Sequence, residues 1–378
     1  MARLGPRARD QARAWAELLR LPALFTVPGD ALAGAAALGA RPNSRTLLAI
    51  GSSLCLYEAG MALNDWADRA EDAVERPHRP LPSGRIRPAA ALAASGALTA
   101  VGLALADRAG RPALAVAVPL AATVWAYDLT LKRTPVGPAA MATARGLDVL
   151  LGATATGGTA RNGHVFPGVT AACRTARRAL PSALALATHT LAVTTVSRGE
   201  TQGGSPVAPL AALATTGALA WALANGPAGT GQPGHPAAAW SQLAGDTPTA
   251  PESTPLGGAK ARLGQAPGVT PSPGLSPTPG PSPSPSPGPG PRPSPTPVTD
   301  TLRGALTLAY AATSARPLFH AALNPSPPLT QRAVGGGIRA MIPLQATLAA
   351  RAGAPVTALL TAVLAPAARK FARKVSVT

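Results

Sequence analysis

Residues Asn64 to Gly84 read NDWADRAEDAVERPHRPLPSG, and this stretch decides the fold. It follows an apolar run, Leu47 to Leu63, so acids appear where a greasy helix leaves its core. Asp65, Asp68 and Asp72 are spaced i, i+3, i+7, which puts all three on one face of a helix. Three carboxylates so placed repel one another unless a divalent cation neutralises them, and hard cations such as Mg²⁺ take carboxylate oxygens and bridge onward to phosphates. Arg76, Arg79 and Arg85 come next, with forked donors that suit phosphate. Acids for a metal beside arginines for a phosphate, at the edge of an apolar run, indicate the handling of a lipid diphosphate. The alternative, a solvated helix end with ordinary flanking charge, does not account for the repeated acid spacing.

Composition points the same way. The chain has 378 residues, 46% hydrophobic and 13% charged, against about 25% charged for soluble domains. The net charge of +18 raises the possibility of nucleic acid, but aromatics make up only 3% and no basic cluster is interleaved with stacking rings. Basic residues sit mainly between apolar runs, as at an anionic cytoplasmic leaflet. Cys55 and Cys173 match no disulfide or ligand spacing. Five scattered histidines give no zinc pattern, and His189 and His320, within apolar segments, read as packed side chains. The bias toward Ala, Arg, Gly and Pro suggests a bacterial source.

Outward from the opening stretch, residues 1–16 are polar and basic and favour a cytoplasmic N-terminus. Leu18 to Ala40 is too long for a signal-peptide core and reads as a first membrane helix, with Asp30 facing the bundle interior. Further apolar segments lie near 46–65, 88–107, 112–128, 136–156, 179–197, 206–224, 302–323, 332–351 and 354–369. Residues 17–224 thus hold seven helices and the cap, and 301–370 hold three more. Irregular backbone cannot face lipid, so the expectation is an all-α, multi-pass transmembrane helical bundle. Positive charge at 66–87, 129–135, 198–205 and in the 371–378 tail places these inside; the arginines at 161, 174, 177 and 178 fall outside, against the rule. Residues 225–300 are Pro/Gly/Ser-rich, polar and small-residue rich to Gln265 and a Pro-Ser-Gly-Thr repeat from Ala266 to Pro297; the segment cannot bury enough apolar area to fold, and reads as a disordered external insert. Such an insert is either a tolerated loop or a tether.

The opening stretch resembles the first aspartate-rich motif of the UbiA superfamily of intramembrane prenyltransferases, N-D-x-x-D-x-x-x-D followed by R-P-x-R-P-L-P-S-G. Asn64, Asp65, Asp68 and Asp72 match it, as do Arg76-Pro77 and Arg79 through Gly84. The resemblance implies nine family helices, here with a tenth to set the basic tail inside, and an Mg²⁺ site on Asp65, Asp68 and Asp72. Arg20-Leu-Pro22 resembles the family's start of helix one. Tyr127 through Lys132-Arg133 resembles its tyrosine-to-Lys-Arg signature, where Lys132 and Arg133 clamp the diphosphate; read alone, that pair is an interfacial anchor. Arg145-Gly-Leu-Asp148 resembles an arginine-glycine-leucine-asparagine run. Arg145 and Asp148 either pair with each other or line the cavity near the acceptor.

The family's second motif, D-x-x-x-D, which the resemblance implies supplies further Mg²⁺ ligands, is replaced by Thr194-Thr-Val-Ser-Arg198-Gly-Glu200, which leaves Glu200 as its one acid and its one metal ligand. This departure resembles a divergent branch. Arg198 can neutralise diphosphate where a carboxylate–metal pair is missing. The resemblance implies an Mg²⁺-dependent transferase that moves a prenyl group from a prenyl diphosphate to an aromatic acceptor in a bacterial cytoplasmic membrane, with membrane lipid as its surroundings and neither nucleic acid nor a protein partner. The weakened second motif keeps a second reading open: a non-catalytic isoprenoid-diphosphate binder in an export pathway.

Overall fold

The computed structural model describes residues 5–157, 169–200, 205–226 and 297–376, all within one compact unit. The expected Pro-rich insert lies almost entirely outside these residues, as do the loop containing Arg161 and the end of the C-terminal tail. Twelve helices are described: α1 (Pro6–Leu18), α2 (Pro28–Ala37), α3 (Ser44–Ala67), α4 (Arg69–Glu75), α5 (Pro88–Ala109), α6 (Arg111–Ala126), α7 (Gly137–Gly157), α8 (Val169–Ser197), α9 (Val207–Asn225), α10 (Pro297–Leu323), α11 (Pro327–Arg351) and α12 (Pro355–Ser376). No strand is present among the described residues.

Local chemistry sets the boundaries. Proline occupies the first turn of α1, α2, α5, α6 and α11, where its missing N–H costs nothing. Asn43 caps α3 by accepting from the Arg45 and Thr46 amides, and the Thr46 hydroxyl accepts in return from the Asn43 amide. Gly110, at φ 133°, breaks the chain between α5 and α6 in a conformation that suits glycine.

Ten of these helices, α2, α3 and α5 to α12, take the ten expected segments. Five spans are long and apolar enough to cross a membrane: Ser44–Ala67, Pro88–Ala109, Arg111–Leu131, Ala172–Ser197 and Val207–Asn225. Leu24–Ala37 and Pro355–Ala368 are shorter apolar helices. Large apolar side chains point outward, Leu184, Trp221, Leu308 and Leu360 among them, as a lipid-facing exterior requires.

Three expectations are corrected. The first membrane helix is not continuous over Leu18–Ala40. α1 ends at Leu18, a 3₁₀ segment covers Leu21–Thr26, and α2 begins at Pro28, because Pro22 and Pro28 each deny the preceding turn a donor. The basic N-terminus also contains a helix. Ala14 and Leu18, one turn apart, pack on Ala62, Leu81, Ile86 and Ala91. In addition, α8 starts ten residues before the expected 179, so Cys173, Arg174, Arg177 and Arg178, which precede the expected segment, lie on the helix.

Packing relies on small residues and short polar links, as expected where lipid gives helices no hydrophobic incentive to associate. Ser52 Oγ donates to the Gly102 carbonyl at 2.7 Å and Ser95 Oγ to the Ala59 carbonyl at 2.8 Å, joining α3 to α5. His189 is buried, 3.2 Å from the Tyr310 hydroxyl and 3.0 Å from the Gly337 carbonyl, so it packs as expected; His320 is exposed. α2 and α7 touch backbone to backbone: a methyl group at Gly152 would overlap Ala31, and one at Gly34 would overlap Val149. Gly152→Ala is therefore expected to cost about 1–3 kcal/mol by forcing these helices apart. Gly96→Ala and Gly217→Ala, whose surroundings are open, should leave the unfolding midpoint in detergent level or raised. Equal midpoints for all three variants would refute this account of the α2–α7 contact.

Candidate active site

The opening stretch forms the cap of the bundle. α3 ends at Ala67, Asp68 interrupts it at φ −87°, ψ 1°, and α4 restarts at Arg69. The chain then turns through Arg79–Gly84, closed by the Ser83 amide on the Arg79 carbonyl at 3.0 Å and by Gly84 at φ 74°. Leu81 and Ile86 plug this turn into the apolar cluster beneath it, fixing the backbone from which Arg79 projects.

The interruption at Asp68 splits the expected single face of three acids. Asp72 and Asp65, 2% and 5% exposed, both face Arg79, whose Nη1 stands 2.7 Å from Asp72 Oδ2 and 3.6 Å from Asp65 Oδ1. Arg20 Nη2 donates to Asp65 Oδ1 at 3.0 Å, and Arg76 lies 3.6 Å from Asp72. Arg20 is the only non-glycine residue at positive φ among the described residues, 47°. That left-handed kink between α1 and the 3₁₀ segment sits directly at the ion pair. Asp68 turns the other way, 2.7 Å from Lys132 Nζ and 3.1 Å from Arg133 Nη2, and Arg133 also bonds Glu71 at 2.5 Å.

Lys132 reaches Asp68 from a π-helical turn, Tyr127–Leu131, marked by the Lys132 amide on the Tyr127 carbonyl at 2.9 Å. Such wide turns cluster at functional sites. In that turn Asp128 is buried and accepts from Asn64 Nδ2 at 3.1 Å, while Tyr127 lies among the charges of Asp68, Asp128 and Arg198. Arg198 donates to the Thr134 carbonyl at 2.6 Å, tying the second-motif segment to the turn after Lys132-Arg133. Glu200 is half-buried beside the charge of Arg76; burial raises its pKa, and Arg76 opposes that rise. The cap thus gathers Arg20, Asn64, Asp65, Asp68, Asp72, Arg76, Arg79, Tyr127, Lys132, Arg133, Arg198 and Glu200. Arg85 turns away to Glu17 at 2.7 Å.

Arg145 and Asp148 belong to a second cluster, in the interior. Arg145 pairs with Asp30 of α2, while Asp148 accepts from Ser53 Oγ of α3. Gln345 of α11 donates through Nε2 to Asp30 Oδ1 at 2.7 Å and to the Thr26 carbonyl at 2.8 Å. The two α7 residues therefore do not satisfy each other in the i, i+3 manner. Asp128, Ser53 and Gln345 were not legible as site residues; Asp128 alone had a signal, an acid next to Tyr127 in the Lys-Arg segment.

For Mg²⁺, the donor set fits. Arg79 Nη1 lies between the Asp65 and Asp72 carboxylates, a cationic group held by the same oxygens a hard metal ion would use. Among the described residues no three His, Cys, Asp or Glu side chains stand close enough together for a ready-made metal site.

The model of the UbiA prenyltransferase family matches residues 23–225, more than half of the chain. The chain is 36% identical over 128 residues to the digeranylgeranylglyceryl phosphate synthase of Methanopyrus kandleri, covering 32% of this chain and 45% of that protein. It is 33% identical over 151 residues to the enzyme of the same name from Natronomonas pharaonis, covering 39% and 54%. It thus spans about half the length of the curated relatives it matches, and these are archaeal. A solved structure described as giving structural and mechanistic insights into the biosynthesis of digeranylgeranylglyceryl phosphate synthase in membranes superposes with a TM-score of 0.50 at 14% identity, over 91% of this chain and 99% of that one. With its helical bundle, its aspartate-rich cap and this match, the chain belongs to the UbiA prenyltransferase family.

Proposed function

We propose that the protein is an integral-membrane prenyltransferase that binds the headgroup of a prenyl diphosphate at the cap, on the cytoplasmic side, with Mg²⁺. The observation that carries this is the pairing of basic and acidic side chains around Arg79. Arg20, Arg76 and Arg79 neutralise Asp65 and Asp72, while Lys132 and Arg133 neutralise Asp68. A diphosphate entering this cap exchanges partners with it: the guanidinium and ammonium groups move onto phosphate oxygens and release the carboxylates. Asp65 and Asp72 would then hold Mg²⁺, which supplies Lewis acidity to the departing diphosphate. The bases stabilise the negative charge that grows as the allylic C–O bond breaks. Asn64 and Asp128 fix the end of α3 against the Lys132 turn.

The acceptor captures the allylic carbon. The family resemblance implies an aromatic acceptor, whereas the names of the matched relatives carry a glyceryl phosphate product. A labelled geranyl, farnesyl or longer diphosphate, supplied with both acceptor types to detergent-purified protein, tests the transfer. Product is expected only with Mg²⁺ present. Product in excess EDTA would remove the metal from the scheme.

A non-catalytic binder remains the second reading, because Arg198 and a lone Glu200 stand where two carboxylates are expected. It forecasts Mg²⁺-dependent retention of the diphosphate with none consumed, in the same assay.

A further inference from the structure

Glu58 is the one buried acid in the described structure that nothing satisfies. It is 7% exposed, and neither carboxylate oxygen has a hydrogen-bond partner. Every other buried carboxylate has one: Asp30, Asp65, Asp72, Asp128 and Asp148 are each bonded by an arginine, amide or hydroxyl. An unpaired acid in a membrane helix costs several kcal/mol and marks a place where a polar ligand is met. Glu58 shares a stripe with the cap. Glu58 and Asp65 are seven positions apart on α3, so Glu58 lies beneath Asp65 by about 10 Å along the axis.

The cations that act on the adjacent Tyr57 are already engaged. Tyr57, its neighbour in sequence, lies within the fields of Arg20 above, Arg145 and Glu58 itself. Arg20 is held by Asp65 and Arg145 by Asp30. Beneath the cap, therefore, the Glu58 carboxylate stands without a hydrogen-bond partner, while Arg20 and Arg145 are held by Asp65 and Asp30. Such a site repels a carboxylate or phosphate and welcomes a hydrogen-bond donor.

We infer that Glu58 receives the acceptor, that this acceptor is a neutral alcohol and not a phosphate or a carboxylate, and that Glu58 takes its hydroxyl proton during transfer. This rests on the prenyl-transfer reading above. The allylic C–O bond breaks with its electron pair leaving on the diphosphate. A lone pair of the alcohol oxygen forms the new C–O bond, and the O–H proton passes to the Glu58 carboxylate. The products are a prenyl ether, diphosphate and the protonated acid.

The test uses the full chain in detergent with labelled geranylgeranyl diphosphate, Mg²⁺ and three probes: a 1-O-alkylglycerol, its phosphate ester and a hydroxybenzoate. The alkylglycerol is expected to react with a kcat/KM at least about tenfold above the other two. Glu58→Gln should lower kcat about a hundredfold and leave Mg²⁺-dependent binding of the diphosphate unchanged. Glu58→Asp should recover part of the rate. Preference for the phosphate or the benzoate overturns the inference, as does a Glu58→Gln variant that keeps its kcat or one that loses diphosphate binding together with its rate. Diphosphate bound but no product from any probe is a different failure, since it overturns the prenyl-transfer reading itself.

Discussion

Asp72→Asn and Asp65→Asn should each lower kcat/KM for the prenyl diphosphate about a thousandfold, with most of the loss in kcat. Both carboxylates are buried and both face the same guanidinium, so neither can be replaced by solvent when a cation has to be held. An amide keeps the shape and can still accept from Arg79, but it offers a metal one neutral oxygen in place of a charged pair. Asp68→Asn should cost less, about tenfold, because Asp68 is engaged with Lys132 and with an Arg133 that Glu71 also holds. The order distinguishes this geometry from the single-face arrangement, in which three acids on one helix face contribute alike. Steady-state rates at several Mg²⁺ concentrations check it: the Asp65 and Asp72 variants should need more Mg²⁺ for half-maximal rate, and Asp68→Asn only slightly more. Three equal losses would count against the split cap.

Much of the fold could be read from apolar runs and prolines, because membrane helices must be long, apolar and internally hydrogen-bonded. Nine of the ten expected segments lie on helices, although α8 begins ten residues before its expected start and α10 to α12 overrun theirs by a turn or two. The tenth, Leu18–Ala40, failed where Pro22 and Pro28 sit six residues apart, and that spacing was visible in the sequence. The left-handed Arg20 was not visible, since nothing in Leu-Arg-Leu-Pro announces a positive φ on an arginine. At the site, the residue types were legible and their pairings were not. The i, i+3, i+7 spacing puts Asp65, Asp68 and Asp72 on one face only while the helix is continuous, and Asp68 ends it. Likewise Arg145 has an acid three positions away in sequence yet bonds one 115 positions away, because α2 packs on α7 through glycines at that depth.

Removing one member of that interior pair should cost more stability than any other single change to the charged groups of the chain. Asp30 is fully buried and Arg145 nearly so, in a medium where a lone charge has no water to turn to. Asp30→Leu takes the ion-pair partner from the guanidinium and leaves it only the charge of Asp148, and Arg145→Met takes the cation from the carboxylate; each is expected to lower the unfolding free energy by about 3–5 kcal/mol. The double variant Asp30→Leu/Arg145→Met removes both charges together and should recover much of that loss, because apolar residues of similar volume pack where an ion pair stood. Unfolding in detergent, followed for the two single variants and the double, measures the coupling as the departure from additivity. A double variant as unstable as the sum of the singles would show that the two charges are held by other partners. Recovery of stability without recovery of transfer would place Arg145 in the reaction as well as in the fold: the double variant keeps the bundle but has no guanidinium beneath the cap. Gln345→Leu provides the internal control. It withdraws one hydrogen bond from Asp30 and leaves the ion pair whole, so its cost should stay near 1–3 kcal/mol, about that of a single buried polar group left unsatisfied.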